Sequence, residues 1–229
     1  MIHTFTQMPD TIEGIAQMFI NTVKSSVIRS QIRRIDLVAD NYLQHISQIK
    51  RAEQLVRGQS EPINISSLKS KTPSDFRERV LKNAANKSRL VELIFQYICE
   101  NNEDVVELLN LEEIVISAEG ECRTATKDGV SVHEGLRSNQ AEADTRLILH
   151  AIEALTTTTD NVCIHSPSGD TDVIILAIVH LWEFREQVTL VNGSGKNKKV
   201  YHMKDIIVED RVCMALIGFH AFTGTHYYI

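Results

Sequence analysis

The stretch SPSGDTDVIILAIVH, Ser166 to His180, sets two aspartates, Asp170 and Asp172, directly before a strongly apolar run. Two like charges two residues apart repel and raise one another's pKa. A cation offsets that repulsion, and so does the partial positive charge of a helix N-terminus. Upstream, Val162 to His165 reads as a short apolar strand, and downstream Asp172 to Leu181 reads as a buried helix. The acids therefore stand where a strand hands over to a helix.

Outward from that junction the chain alternates. A helix is expected over about 139–155, a strand over Gln187 to Asn192, a glycine turn, a strand over Lys199 to His202, and a helix over about 205–222. Toward the N-terminus, Asp10 and Glu13 have capping-box spacing, and Ile12, Ile15, Ala16, Phe19, Val23 and Val27 follow helical periodicity over 11–28. Arg33 to Asp40 reads as a strand, followed by a helix over about 41–56 that closes at Gly58. Gly58 to Pro73 turns to Ser, Pro, Lys and Gly, the composition of a mobile loop or lid. A short basic helix, SDFRERVLKN, precedes a longer one over Asn86 to Glu100 with Leu90, Leu93, Ile94, Tyr97 and Ile98 on its core face. Glu113 to Ser117 is a strand, and CRTATKDGVSV is a hairpin turning on Asp128-Gly129. Strands alternating with helices, several of them continuous apolar runs, predict an α/β fold with a mostly parallel sheet covered on both faces.

The 229 residues, 43% hydrophobic, suffice for one sizeable core, so a single domain spanning 1–229 is expected. The longest apolar run is about half of what a membrane span needs, so no membrane role is expected. MIHTFTQMPD lacks a basic start and an apolar signal core, and Cys99, Cys122, Cys163 and Cys213 are too dispersed for a paired-thiol zinc site. Both point to an intracellular protein, nuclear or cytoplasmic, with reduced and mostly buried thiols. The net charge is −6, yet residues 24–89 carry 14 Lys and Arg against 6 Asp and Glu, and residues 90–229 carry 10 against 22. Phosphate attraction follows local potential, so the basic half remains open to nucleic acid. Mutual attraction of the two halves is the plainer explanation of the same asymmetry.

In open parallel sheets, ligands bind beyond the carboxyl ends of strands. Asp40 closes one strand, Asp170 and Asp172 follow another, and Glu142 and Asp144 occupy the first turn of the helix leading into the latter. For either pair alone, complementing a helix dipole is a sufficient reason. Two pairs and a strand-terminal aspartate at one sheet edge ask instead for hard divalent cations, Mg²⁺ or Mn²⁺. Paired ions of this kind activate water and stabilise a leaving oxygen in phosphodiester hydrolysis.

These residues resemble a known family. The segments EAD (142–144) and SGDTDV (168–173), followed by GFHAFTG (218–224), are similar to PIN-like nucleases of the flap-endonuclease and XPG type. They are most similar to animal proteins that carry HEEADT-like, SPSGD-D or SPDTD, and GFHA-TGCD segments. RIDLVADNY (34–42) looks like that group's strand with an early metal-ligand aspartate. The resemblance runs over about 30–229 and is specific in order and spacing over 138–226. It implies a three-layer PIN-like fold, incomplete here at both ends, with a helical arch or gateway inserted over about 43–98. It implies that Asp40, Glu142, Asp144, Asp170 and Asp172 hold Mg²⁺ or Mn²⁺. It further implies that Lys50, Arg51 and Arg57, with Lys82, Lys87 and Arg89, face the phosphates of DNA or RNA. Where the family ends in Gly-Cys-Asp or Gly-Ser-Asp, this chain has Gly224-Thr225-His226, and imidazole suits Mn²⁺ better than Mg²⁺. The family's first strand with its opening aspartate has no counterpart before residue 30, and Asp36 is read as structural. Two functions follow: a metal-dependent nuclease, or a non-catalytic nucleic-acid-binding or scaffold module of the same fold.

Weaker motifs count for less. Gly193-Ser-Gly-Lys196 lacks phosphate-loop spacing and reads as a hairpin turn with a basic tip. Ser166 and Ser168 lack a nucleophile elbow. Asp170-Thr-Asp172 matches the D-x-D of aspartyl-phosphate phosphatases but comes late in the chain. His165 and His220 read as core residues.

Overall fold

Helix α1 (Ile12–Val27) buries Ile12, Ile15, Ala16, Ile20 and Val23, one stripe at helical spacing. In the computed structural model, which describes residues 7–27, 31–40, 63–118, 120–139, 143–206, 215, 216 and 218, its start is held from two directions. The Thr11 hydroxyl accepts from the Gly14 amide at 3.2 Å, so the capping side chain is Thr11 and not the expected Asp10. The amides of Ile12 and Glu13 donate to the carbonyls of Ser70 and Leu68, while the Asp10 carbonyl accepts from Thr72. The first-turn amides that a helix leaves unpaired are thereby satisfied. Residues 63–73, expected to be part of a mobile loop, are in fact bonded in place, with Ile65 only 4% exposed. The rest of that loop and the helix expected over 41–56 lie outside the described residues.

By its contacts the chain forms two compact units, Met1–Ala143 and Asp144–Ile229. The first unit adds strand β1 (Arg34–Val38), a π-helical turn (Arg77–Leu81), helices α2 (Ala84–Glu100) and α3 (Asn102–Leu109), and strands β2 (Glu113–Ala118), β3 (Glu121–Thr126) and β4 (Gly129–Val132). The sheet order is β1-β2-β3-β4. β1 runs parallel to β2, with Ile35 opposite Ile114, and the other two pairings are antiparallel. Its core joins α1, α2 and α3 to β2 through Ile15, Leu93, Ile94, Ile98, Val106 and Ile114.

Buried Asn86 pins the π-helical turn and the 63–73 segment together. Its Oδ1 accepts from the Ile63 amide at 2.9 Å and its Nδ2 donates to the Arg79 carbonyl at 2.6 Å.

The second unit carries α4 (Ala143–Thr157), β5 (Val162–Ser166), α5 (Asp172–His180), β6 (Val188–Asn192) and β7 (Lys199–His202), α4 starting on the last residue of the first unit. Its sheet order is β5-β6-β7, with β5 parallel and β7 antiparallel to β6. Ile148, Leu155, Ile164, Val173, Leu181 and Leu190 form its own apolar core.

The α/β class is as expected, but the sheets are mixed. Two of the five pairings among the described residues are parallel. The tight turns at Gly120 and Gly129 and the short turn before β7 leave no room for crossover helices, so those neighbours run antiparallel. Most of the helix expected over 205–222 falls outside the described residues, and Met203–Asp205 form one 3₁₀ turn. Among the described residues no helix is long and apolar enough to cross a membrane. Cys122 is buried, Cys99 half-buried and Cys163 exposed, all three as free thiols.

Candidate metal centre

The carboxyl ends of β5 and β6 are built as one edge. Ser166 ends β5 opposite Asn192, which ends β6. The Ser166 carbonyl accepts from the Gly193 amide at 2.8 Å and from the Gly169 amide at 3.4 Å. Both glycines are left-handed, with φ of +81° at Gly169 and +82° at Gly193. A Cβ on Gly193 would sit 2.8 Å from the Asn197 carbonyl oxygen. Glycine is therefore required there on two grounds, backbone strain and space.

Between β5 and α5 the acids sit in a chain of short-range bonds. The hydroxyls of Ser166 and Ser168 meet at 3.1 Å. The Asp170 amide donates to the Ser168 Oγ at 3.4 Å, and the Asp172 amide donates to Asp170 Oδ1 at 3.1 Å. Asp172 is the first residue of α5, so both carboxylates stand at a helix N-terminus, where the dipole favours negative charge.

Asp144, in the first turn of α4, joins them. Asp144, Asp170 and Asp172 each offer a carboxylate oxygen, and the three oxygens lie within 4.8 Å of one another. Asp170 is exposed and the other two are half-buried. Carboxylate oxygens at this spacing are the donors that Mg²⁺ and Mn²⁺ take, and the exposure of Asp170 suits an ion that retains some of its waters. The donor set thus fits a hard divalent cation.

Other expected residues fall as follows. Asp40 belongs to the first unit, beyond the end of β1, and its Oδ1 accepts from the amide of Ala143, the last residue of that unit, at 2.9 Å. Asp36 binds Arg34 through both oxygens, at 2.7 and 2.8 Å, which agrees with a structural role. Lys82 pairs with Glu78 at 2.5 Å, one helical turn away. Lys87 is half-buried on α2. The Arg89 guanidinium binds the carbonyls of Ile65 and Ser66, at 3.1 and 3.0 Å, and Glu92 at 2.8 Å. Glu142, Lys50, Arg51, Arg57 and His226 lie outside the described residues.

Ser168, Gly169 and Gly193 shape the acidic loop, and the sequence reading passed over that role. The signal was present: a serine two residues before an aspartate in a glycine-containing turn caps its amide locally. His165, expected in the core, is exposed at the end of β5. Burial of its ring by neighbouring atoms pushes the imidazole below its usual pKa, the Gly193 carbonyl at 3.4 Å partly opposes this, and the Lys198 charge adds to it. Cys163, two residues earlier on the same strand face, has its thiol pushed up by desolvation, with Lys198 opposing.

Comparison with protein-family models, with curated proteins and with solved structures found no match to this chain.

Proposed function

We propose that the second unit carries the metal centre of a PIN-like, divalent-metal-dependent hydrolase of nucleic-acid phosphodiesters. The observation behind this reading is the meeting of Asp144, Asp170 and Asp172 oxygens within 4.8 Å, although Asp144 is 26 residues from Asp170 in the chain. Acids that merely complement helix dipoles need not converge; these start two different helices and share one ligand-sized space. The similarity of the EAD, SGDTDV and GFHAFTG segments to flap-endonuclease-type domains supports the same reading, and with it a three-layer sheet fold with a helical gateway over 43–98.

Mg²⁺ or Mn²⁺ bound here supplies water activation and charge neutralisation. The protein's own part is to hold three carboxylates in register: Ser168 fixes the Asp170 amide, Asp170 fixes the Asp172 amide, and α4 brings Asp144. The resemblance by itself would add Asp40, Glu142 and His226 to the ligands.

The test is cleavage of single-stranded and flapped DNA and RNA in Mn²⁺, with Asp170→Ala as control. Turnover lost in the variant supports the enzyme; equal residual signal in both removes it. A second reading rests on Gly224-Thr225-His226, which replaces the family's terminal aspartate. On that reading the chain binds nucleic acid without turnover, and His226→Asp raises its metal affinity.

A further inference from the structure

The turn joining β6 to β7 concentrates charge of the opposite sign beside the acidic loop. Residues 187–204 carry four lysines and no acid, in a half of the chain that is otherwise strongly acidic. Lys196, Lys198 and Lys199 are all exposed, and none is ion-paired to an acid among the described residues. The base of this turn is fastened to the acidic loop. Gly193 donates to Ser166, and a Cβ placed on Gly169 would lie 3.8 Å from the Gly193 Cα. The Lys198 charge favours the Cys163 thiolate and disfavours the His165 imidazolium, both on exposed residues of β5.

We propose that the Ser194–Lys199 turn is a phosphodiester-backbone surface that holds a nucleic-acid strand against the edge bearing Asp144, Asp170 and Asp172. The proposal rests on the metal-centre reading for what the strand is brought to, but the binding itself requires no metal. Electrostatics supplies the reason for the arrangement. Three clustered carboxylates repel an approaching polyanion, and lysines on the adjoining turn, with no acid partner among the described residues, reverse the local potential. Every nucleotide of a strand carries a phosphate, so a turn with three ammonium groups on flexible stems can meet more than one phosphate at once. A lysine turn of this kind reads no bases, and binding through it is sequence-tolerant.

The experiment uses the whole chain, EDTA, and a fluorescein-labelled 20-mer of deoxythymidine or uridine, followed by anisotropy over a salt series. Lys196→Gln, Lys198→Gln and Lys199→Gln together are expected to lower the slope of log affinity against log salt by about 2, roughly 0.7 per phosphate released. Lys69→Gln, Lys71→Gln and Lys127→Gln remove the same charge elsewhere and are expected to leave the slope within about 0.5 of the parent. An unchanged slope in the first variant overturns the proposal, and so does equal loss in both. Parent binding to a polyglutamate peptide of equal charge, lost in the same variant, also overturns it and assigns the turn to acidic proteins. Asp170→Asn separates the two readings. If it removes Mn²⁺ binding while strand binding persists, both stand. If the parent holds no Mn²⁺ yet the lysine effect is seen, the metal centre fails and the binding surface remains.

Discussion

Asp170 accepts the first amide of α5 through its Oδ1, 3.1 Å from the nitrogen of Asp172. One carboxylate, in the turn just before the N-cap Thr171, thus holds the first amide of the helix that carries the other. The two roles separate by substitution. Asp170→Asn keeps an oxygen for the amide and loses the charge, so its urea midpoint should stay close to the parent's while Mn²⁺ affinity by calorimetry falls at least about tenfold. Asp170→Ala should lose both, with about 1 kcal/mol of stability. Unchanged Mn²⁺ affinity in both variants removes Asp170 from the ligand set.

Gly193→Ala places a methyl group 2.8 Å from the Asn197 carbonyl on a backbone with φ of +82°. Gly195, at φ of +57°, has open space around the same position. Thermal unfolding should therefore show about 1 kcal/mol lost for Gly195→Ala and roughly 2–4 kcal/mol for Gly193→Ala, where strain and collision act together. Equal losses would mean that the close approach at Gly193 does not exist in solution.

Asn86→Leu removes the partners of the Ile63 amide and the Arg79 carbonyl, both anchored by one buried side chain. Both bonds are only part-buried, so water replaces some of what is lost, and a loss of roughly 1–3 kcal/mol is expected in denaturant unfolding. The 63–73 segment should also become sensitive to limited proteolysis. Resistance equal to the parent's would show that the segment is held by something else.

The Cys163 thiol is raised by desolvation, and the Lys198 charge opposes that by favouring the thiolate. Alkylation of Cys163 by iodoacetamide should be slower than that of a free cysteine, and Lys198→Gln should slow it further and move its pH midpoint upward. A faster rate in Lys198→Gln would refute the placement of that charge near β5.

For His165 the folded pKa lies below the ordinary value of 6.5, chiefly through burial. Between the folded and the ordinary value the unfolded chain holds a proton that the folded chain does not, so stability rises with pH across this window. The contribution is complete above 6.5 and disappears as pH falls through the folded pKa. His165→Gln should flatten the stability profile there; an unaltered profile assigns the slope to other groups.

Features set by neighbours in the chain were legible. The Asp128-Gly129 turn gave the β3–β4 hairpin, and the apolar spacing from Ile12 to Val23 gave α1. Helix α3 was missed because it is only eight residues long and follows α2 after a single residue, Asn101. Its stop is Asn110 in the left-handed region, φ +55°, a C-terminal signal that asparagine gives less visibly than glycine. The division of the seven strands among the described residues between two sheets was not legible, since periodicity says which face of a strand is buried and not which strand lies beside it. For the acids, the strand-end rule placed Asp170 and Asp172 at an edge, and the helix-start pattern placed Asp144 beside them. Thr11 replaced Asp10 as the cap because the 68–72 backbone comes in to bond residues 10, 12 and 13, an arrangement that no local motif encodes.

The parallel pairings differ in how much chain separates their partners. Ile35 and Ile114, opposite each other in β1 and β2, are 79 residues apart, whereas Ile164 and Leu190 in β5 and β6 are 26 apart. Closing the longer segment costs about 1 kcal/mol more in chain entropy. Short-range closure is also the faster route in folding. The parallel pairing of the unit that carries the acidic edge should therefore close ahead of that of the larger one: in pulsed hydrogen exchange during refolding, the amides of β5, which among the described residues pairs only with β6, should gain protection before those of β1, which pairs there only with β2.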